Sequence, residues 1–214
     1  MPAGATGQCL LRMMGVTEQI NVALRRVPVW TIWLMTGAPA VWTFYLGLTG
    51  GLGAEPIKAL ERELGETALQ LVILGLGITP LRRYLGLNLI RFRRAVGLLA
   101  FSYVCLHLLV WLVLDVQILA QIWADILKRP YVTVGFTAFL LMIPLAVTSN
   151  DLSLRRLGPR WRSLHRLTYG VAVLGAVHFI WLSKGFQIEP LVYLAVILGL
   201  LGLRWRPKLR IRRA

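Results

Sequence analysis

Cysteine is almost missing from this chain: two occur in 214 residues. Cys9 lies in a polar N-terminal stretch and Cys105 inside an apolar run, so no disulfide is expected. No CxxC pair offers a zinc site or a haem attachment point either. Acidic residues are also scarce, with nine Asp and Glu against 24 Lys and Arg, a net charge of +15. Such an excess suits a nucleic-acid binder, but here the basic residues fall in short segments between long apolar runs. That placement argues against a nucleic-acid partner and matches the loops of a membrane protein. Residues 1–26 hold no long apolar stretch with a small-residue cleavage site, so no signal peptide is expected, and the first apolar span serves as the insertion signal. There is no Gly-rich dinucleotide fingerprint, no low-complexity segment and no internal repeat.

Apolar sequence is abundant, at 57% of residues. Six stretches stand out: 27–48, 67–81, 95–114, 131–148, 164–182 and 190–203. They predict an all-α integral membrane protein, a six-helix transmembrane bundle with lipid as its solvent. The second and sixth are shorter than the ~20 residues a crossing usually takes, which suits tilting or partial embedding. The second is expected to close at Thr79-Pro80, and Pro144 to kink the fourth. This divides the chain into an N-terminal cytoplasmic extension (1–26), a membrane domain (27–203) and a basic cytoplasmic tail (204–214).

Basic residues set the orientation. Nineteen of the 24 Lys and Arg lie in the N-terminal segment, 82–94, 155–166 and the tail, and five lie in the three opposite connections. The positive-inside rule then puts both termini in the cytoplasm of a bacterial inner membrane. Two opposite-side connections carry helical periodicity. Residues 55–64 space Ile57, Leu60 and Leu64 on one face. Residues 116–127 place Ile118, Leu119, Ile122, Trp123 and Ile126 together, with Gln117, Gln121 and Asp125 opposite. Both read as interfacial amphipathic helices that cap the bundle or dock a partner.

Tyr and Cys aside, His107 and His178 are the only ionisable side chains deep within these spans, where such groups are costly and mark function. Counted from the cytoplasmic ends of the third and fifth spans, they lie at ~18 and ~21 Å, hence at similar depth. Two neutral imidazoles facing each other from separate helices suit axial ligation of a haem, whose apolar ring matches a bundle interior. The haem is thus expected between the third and fifth helices, nearer the periplasmic face. His165 lies ~20 Å from His178 along the helix and is rotated by about 220° from it. Its partner positions on the third span hold Arg93 and Arg94. A haem-ligand role for His165 stands beside a propionate-binding or flavin/quinone-site role. Gly97, Gly170 and Gly175 offer either close approach to a macrocycle or ordinary helix packing.

Several strings carry a family resemblance: RRAVGLLAFSYVCLHLLVWLVLD, ADILKRPYVTVG, LAVTSNDLSLRRLGPRWRSLHRLTY followed by His178, GLGAEPIKALERELGETAL and ITPLRR. Over 30–206 the chain resembles the MsrQ (YedZ) family, haem-binding membrane subunits of bacterial periplasmic methionine sulfoxide reductase systems. That family falls in the ferric-reductase-like transmembrane superfamily, with the NADPH oxidases as distant relatives. The resemblance implies haem b and FMN as cofactors, with His107, His165 and His178 as haem-site residues. It implies a periplasmic molybdenum-containing partner, MsrP, and electrons from the quinone pool or a cytoplasmic flavin reductase. The fourth histidine of the oxidase pattern is lacking, so at most one bis-histidine haem is expected.

With no dinucleotide fingerprint and no soluble catalytic domain in the sequence, electrons are expected to arrive from, and leave to, separate molecules. The alternatives are a stand-alone ferric reductase or oxidase-like cytochrome b, a proton-coupled transporter, and a structural anchor. Transporters usually bury Asp, Glu or Lys in their spans, and an anchor gives no reason for two depth-matched histidines. Reporter fusions after Ala214 and near Lys184 should read cytoplasm and periplasm respectively; a periplasmic carboxyl terminus would contradict the topology.

Overall fold

A computed structural model describes residues 4–183 and 187–204, and every regular element among them is helical. In chain order these are α1 (Gly4–Arg26), α2 (Trp30–Thr49), α3 (Pro56–Tyr84), α4 (Arg93–Val110), α5 (Leu119–Lys128), α6 (Pro130–Val147), α7 (Asp151–Leu157), α8 (Pro159–Leu164), α9 (Leu167–Leu182) and α10 (Ile188–Arg204). Helices α2, α3, α4, α6, α9 and α10 overlap the six apolar stretches, while α1, 23 residues long, lies in the N-terminal segment where no span was expected. By length and composition three qualify as membrane crossings: Pro56–Tyr84, Ile90–Val116 and Pro130–Val147, with mean hydropathies of 1.5, 2.2 and 1.8 over their most apolar 18-residue windows.

Local chemistry sets the boundaries. Pro56 and Pro130 open α3 and α6 at the first helical position, where a missing N–H costs nothing. Gly50, at φ +79°, ends α2 in the left-handed conformation that favours glycine. Asn150 caps α7 by accepting the Ser153 N–H at 2.7 Å. Beyond Val110, α4 widens into a π-helical segment, Trp111–Val116, which ends at Gln117 with φ +61°. Such widened turns tend to accompany functional sites.

The outside of the bundle is apolar, as lipid contact requires: on α2, Met35 is 76% and Leu48 88% exposed. Helix hydroxyls turn inward on their own backbone. Thr36, Thr43, Ser102, Thr137, Thr148 and Ser183 each donate to the carbonyl four residues earlier. At the centre, Leu64 and Leu76 of α3, Val96 and Ala100 of α4, Ala172 and Ala176 of α9 and Ile197 of α10 are almost wholly buried. Alanine at three of these positions lets helix backbones approach closely.

Three expectations change. Residues 55–64 form no separate interfacial helix; they are the first turns of α3. Of its apolar stripe, Leu60 and Leu64 pack into the core while Ile57 is exposed, so most of the stripe is a bundle contact. Nor does the second span stop at Pro80, because α3 continues to Tyr84. Proline at 80 cannot donate to the Leu76 carbonyl, and the Arg204 guanidinium donates to that oxygen instead, with a longer bond of 3.4 Å to Gly75 O. Finally, α5 exists, with Leu119, Trp123 and Leu127 exposed, but Asp125 is buried rather than solvent-facing. Its carboxylate pairs with Arg129 at 3.1 Å.

The Arg204 bond to the proline-freed carbonyl carries its own test. Arg204→Ala should lower stability by about 1–3 kcal/mol, the penalty for an unsatisfied buried acceptor, read from thermal unfolding in detergent. In a Pro80→Ala background, where residue 80 regains an N–H, the loss should shrink. Equal losses in both backgrounds would mean that Arg204 acts some other way.

Candidate functional site

A cavity of about 160 Å³ opens between α3, α4, α6 and α9. Leu69, Val72, Phe136, Phe139, Met142 and Phe179 give it apolar walls, and His107 and His178 line it from α4 and α9. The two imidazoles face each other with ring centres 6.3 Å apart and planes 81° apart. The histidines matched in depth by counting along the spans are thus brought together.

Each ring is anchored in the same way. His107 Nδ1 donates to the Glu61 carbonyl on α3 at 2.8 Å, and His178 Nδ1 donates to the Tyr131 carbonyl on α6, also at 2.8 Å. A carbonyl can only accept, so the proton sits on Nδ1 and the Nε2 lone pair is left free in both neutral rings. Glycine makes room for each contact, four residues beyond the accepting carbonyl. A Cβ at Gly65 would come within 3.0 Å of His107 Nδ1, and one at Gly135 within 2.7 Å of His178 Nδ1.

This arrangement suits one kind of metal centre. An iron taking one nitrogen from each of two opposed rings at about 2 Å needs ring centres roughly 6 Å apart. Backbone hydrogen bonds on Nδ1 are the usual outer support of metal-bound imidazoles. Among the described residues no group of three or more His, Cys, Asp or Glu is arranged to hold a bare ion. Two imidazoles in an apolar slot fit a metal whose remaining ligands come with a planar macrocycle.

His165 is not brought to this cavity. It follows α8, where its ring stacks on Trp161 at 3.8 Å and its Nε2 lies 3.0 Å from Thr148 Oγ1. Trp161 Nε1 in turn donates to the Thr148 carbonyl at 2.9 Å. Arg94, one of the two residues at the partner positions, is tied to Asp151 at 2.5 Å.

Sequence reasoning missed Gly65 and Gly135. Of the glycines it favoured, Gly97 and Gly170 have open space where a Cβ would stand, and only Gly175 lines the cavity. A helix-interior glycine costs ~1 kcal/mol against alanine and so flags a packing reason. The two that matter sit on the helices beside the histidines, a pairing the sequence alone does not give. The length of α3 also brings Glu61, Arg62 and Glu66 to the cavity lining, where the shorter predicted span held no charge.

A profile described as "Ferric reductase like transmembrane component" matches residues 64–176, which include His107 and His165. Curated relatives in Brucella ovis, Brucella canis and Brucella melitensis are each 48% identical over 190 residues, covering 86% of this chain and 86% of the relative. Each is described as "Protein-methionine-sulfoxide reductase heme-binding subunit MsrQ". No solved structure gives a significant match. The chain belongs to the ferric-reductase-like transmembrane family of membrane proteins and, within it, to the MsrQ subunits.

The glycine contacts are graded and can be tested separately. Gly135→Ala should displace the His178 ring and strip haem from the purified protein. Gly65→Ala, with its longer 3.0 Å approach, should weaken retention less. Haem content by pyridine haemochrome reads both, and an effect in the opposite order would count against the ring-on-backbone account.

Proposed function

We propose that the chain is a transmembrane electron conduit in which His107 and His178 hold one haem b between α4 and α9. The supporting observation is the pair of opposed imidazoles, 6.3 Å between centres, each with Nδ1 on a helix carbonyl. The names of the MsrQ relatives, heme-binding subunits, agree with it. Haem b, when bound, supplies a one-electron iron couple inside the membrane. The protein's part is to present two Nε2 lone pairs, to keep water from the ring with the phenylalanine and leucine walls, and to hold the imidazoles neutral. Arg62, paired with Glu189 at 3.3 Å, is a cation at the cavity lining suited to a porphyrin carboxylate.

The chain is read as six spans in a bacterial inner membrane, both termini cytoplasmic, with 1–26 an extension, 27–203 the haem domain and 204–214 a basic tail. In that orientation the haem lies nearer the periplasm, which favours an acceptor there. That acceptor is proposed as the molybdenum-containing methionine sulfoxide reductase subunit, MsrP. The relatives' naming within the methionine sulfoxide reductase system supports it. Electrons are supplied by quinol or a cytoplasmic flavin reductase, with FMN as a second cofactor implied by resemblance. His165, remote from the imidazole pair, is assigned to electron delivery or to that second cofactor.

Both His107→Ala and His178→Ala should abolish the low-spin haem difference spectrum, while His165→Ala should keep it. Reduced protein, reconstituted with the reductase subunit and a methionine sulfoxide, should reoxidise only when both are present. Equally fast reoxidation by ferric chelates or oxygen without the partner would favour a stand-alone ferric reductase or oxidase.

A further inference from the structure

A second pocket, about 260 Å³, lies farther along α3 than the histidine cavity and is lined by Thr79, Arg83, Arg93, Tyr169 and Arg204, with Pro80 and Leu203 beside them. Three guanidinium groups share this space, and no carboxylate lines it among the described residues. Local carboxylates are scarce. Of the nine in the chain, only Glu18 and Asp151 belong to the segments at this end of the bundle, and Asp151 is engaged by Arg94. Arg83 donates to Leu203 O at 3.5 Å, and Arg204 to Tyr169 Oη at 3.4 Å and to the Leu76 carbonyl. None of these acceptors carries a countercharge. Among the described residues, Arg204 Nε is buried with no hydrogen-bond partner.

Arg83 and Arg93 are exposed and Arg204 is half-buried at this pocket, where the like charges repel one another and a bound anion relieves the repulsion. Arginine suits tetrahedral oxyanions in particular, because its planar fork matches phosphate oxygens. Basic pockets between membrane helices are known receptors for acidic lipid headgroups. We propose that this pocket is a phosphate-binding site formed by Arg83, Arg93 and the Nε of Arg204, with Tyr169 as its aromatic wall. It takes the phosphate of an acidic phospholipid or of a small soluble phosphate compound, and it is independent of the haem reading.

The test uses full-length protein in nanodiscs. Arg204 is left intact, since it also satisfies the Leu76 carbonyl, and the variants are Arg83→Gln with Arg93→Gln and the conservative Arg83→Lys with Arg93→Lys. One arm counts phosphatidylglycerol retained by native mass spectrometry from mixed phosphatidylglycerol–phosphatidylcholine discs. The other follows the thermal midpoint in pure phosphatidylcholine discs as inorganic phosphate is added, with chloride at matched ionic strength. At about one headgroup contact per arginine, the Gln pair should weaken binding about 30-fold, and the Lys pair should keep most of it. A response to phosphatidylglycerol alone identifies a lipid headgroup; a response to phosphate alone identifies a soluble ligand. Ligand-free midpoints establish that the variants are folded. Equal binding by wild type and the folded Gln pair, or no binding in either arm, would overturn the proposal.

Discussion

Everything at the candidate site depends on where two protons sit. Because a main-chain carbonyl accepts at 2.8 Å from each Nδ1, both imidazoles are held in the tautomer whose Nε2 lone pair is available, and both rings are oriented before any metal arrives. The same device occurs twice: a histidine on one helix, a carbonyl on its neighbour, and a glycine four residues beyond that carbonyl. α3 serves α4, and α6 serves α9. No sequence repeat accompanies this likeness. It is a likeness of contacts, and it places the rings 6.3 Å apart in an apolar slot.

The bundle around the slot obeys the rule that lipid offers no hydrogen bonds. Hydroxyls fold back on their own helices, and Arg204 donates to the carbonyl that Pro80 leaves unpaired. That bond joins the end of α10 to the last turns of α3, and it also draws a guanidinium into a region with two more. One arginine therefore takes part in two arrangements, the proline repair and the cationic pocket. The histidine cavity occupies one stretch of the helices and the Arg83, Arg93 and Arg204 cluster another.

Much of this was legible beforehand. Apolar run lengths place α2, α4, α6, α9 and α10 to within a few residues, but not the start of α3, which polar residues mask, nor α1, whose 23 residues hold no long apolar run. The α3 start at Pro56 was missed because Lys58, Glu61, Arg62 and Glu63 interrupt the apolar run, although their spacing is helical and the buried Leu60 and Leu64 continue the stripe. Pro80 was taken for a stop because the arginine that compensates it lies 124 positions away in sequence. Counting residues to depth paired His107 with His178, since a straight helix rises uniformly. The same count set His165 apart, but its anchoring by Trp161 and Thr148 depends on the turn between α8 and α9, which periodicity does not describe. The carbonyls and glycines behind each ring were invisible for a different reason: they belong to neighbouring helices, and only tertiary packing brings them into contact.

The central claim is that one iron is held by both imidazoles. Electron paramagnetic resonance of the oxidised, full-length protein tests it most directly, because the signal reports ligand number and the angle between ligand planes. With rings 81° apart, the account predicts a low-spin ferric signal of the strongly anisotropic kind given by near-perpendicular imidazoles, one per chain. A high-spin ferric signal in the intact protein would mean that at least one of the two histidines is not a ligand, and would contradict it.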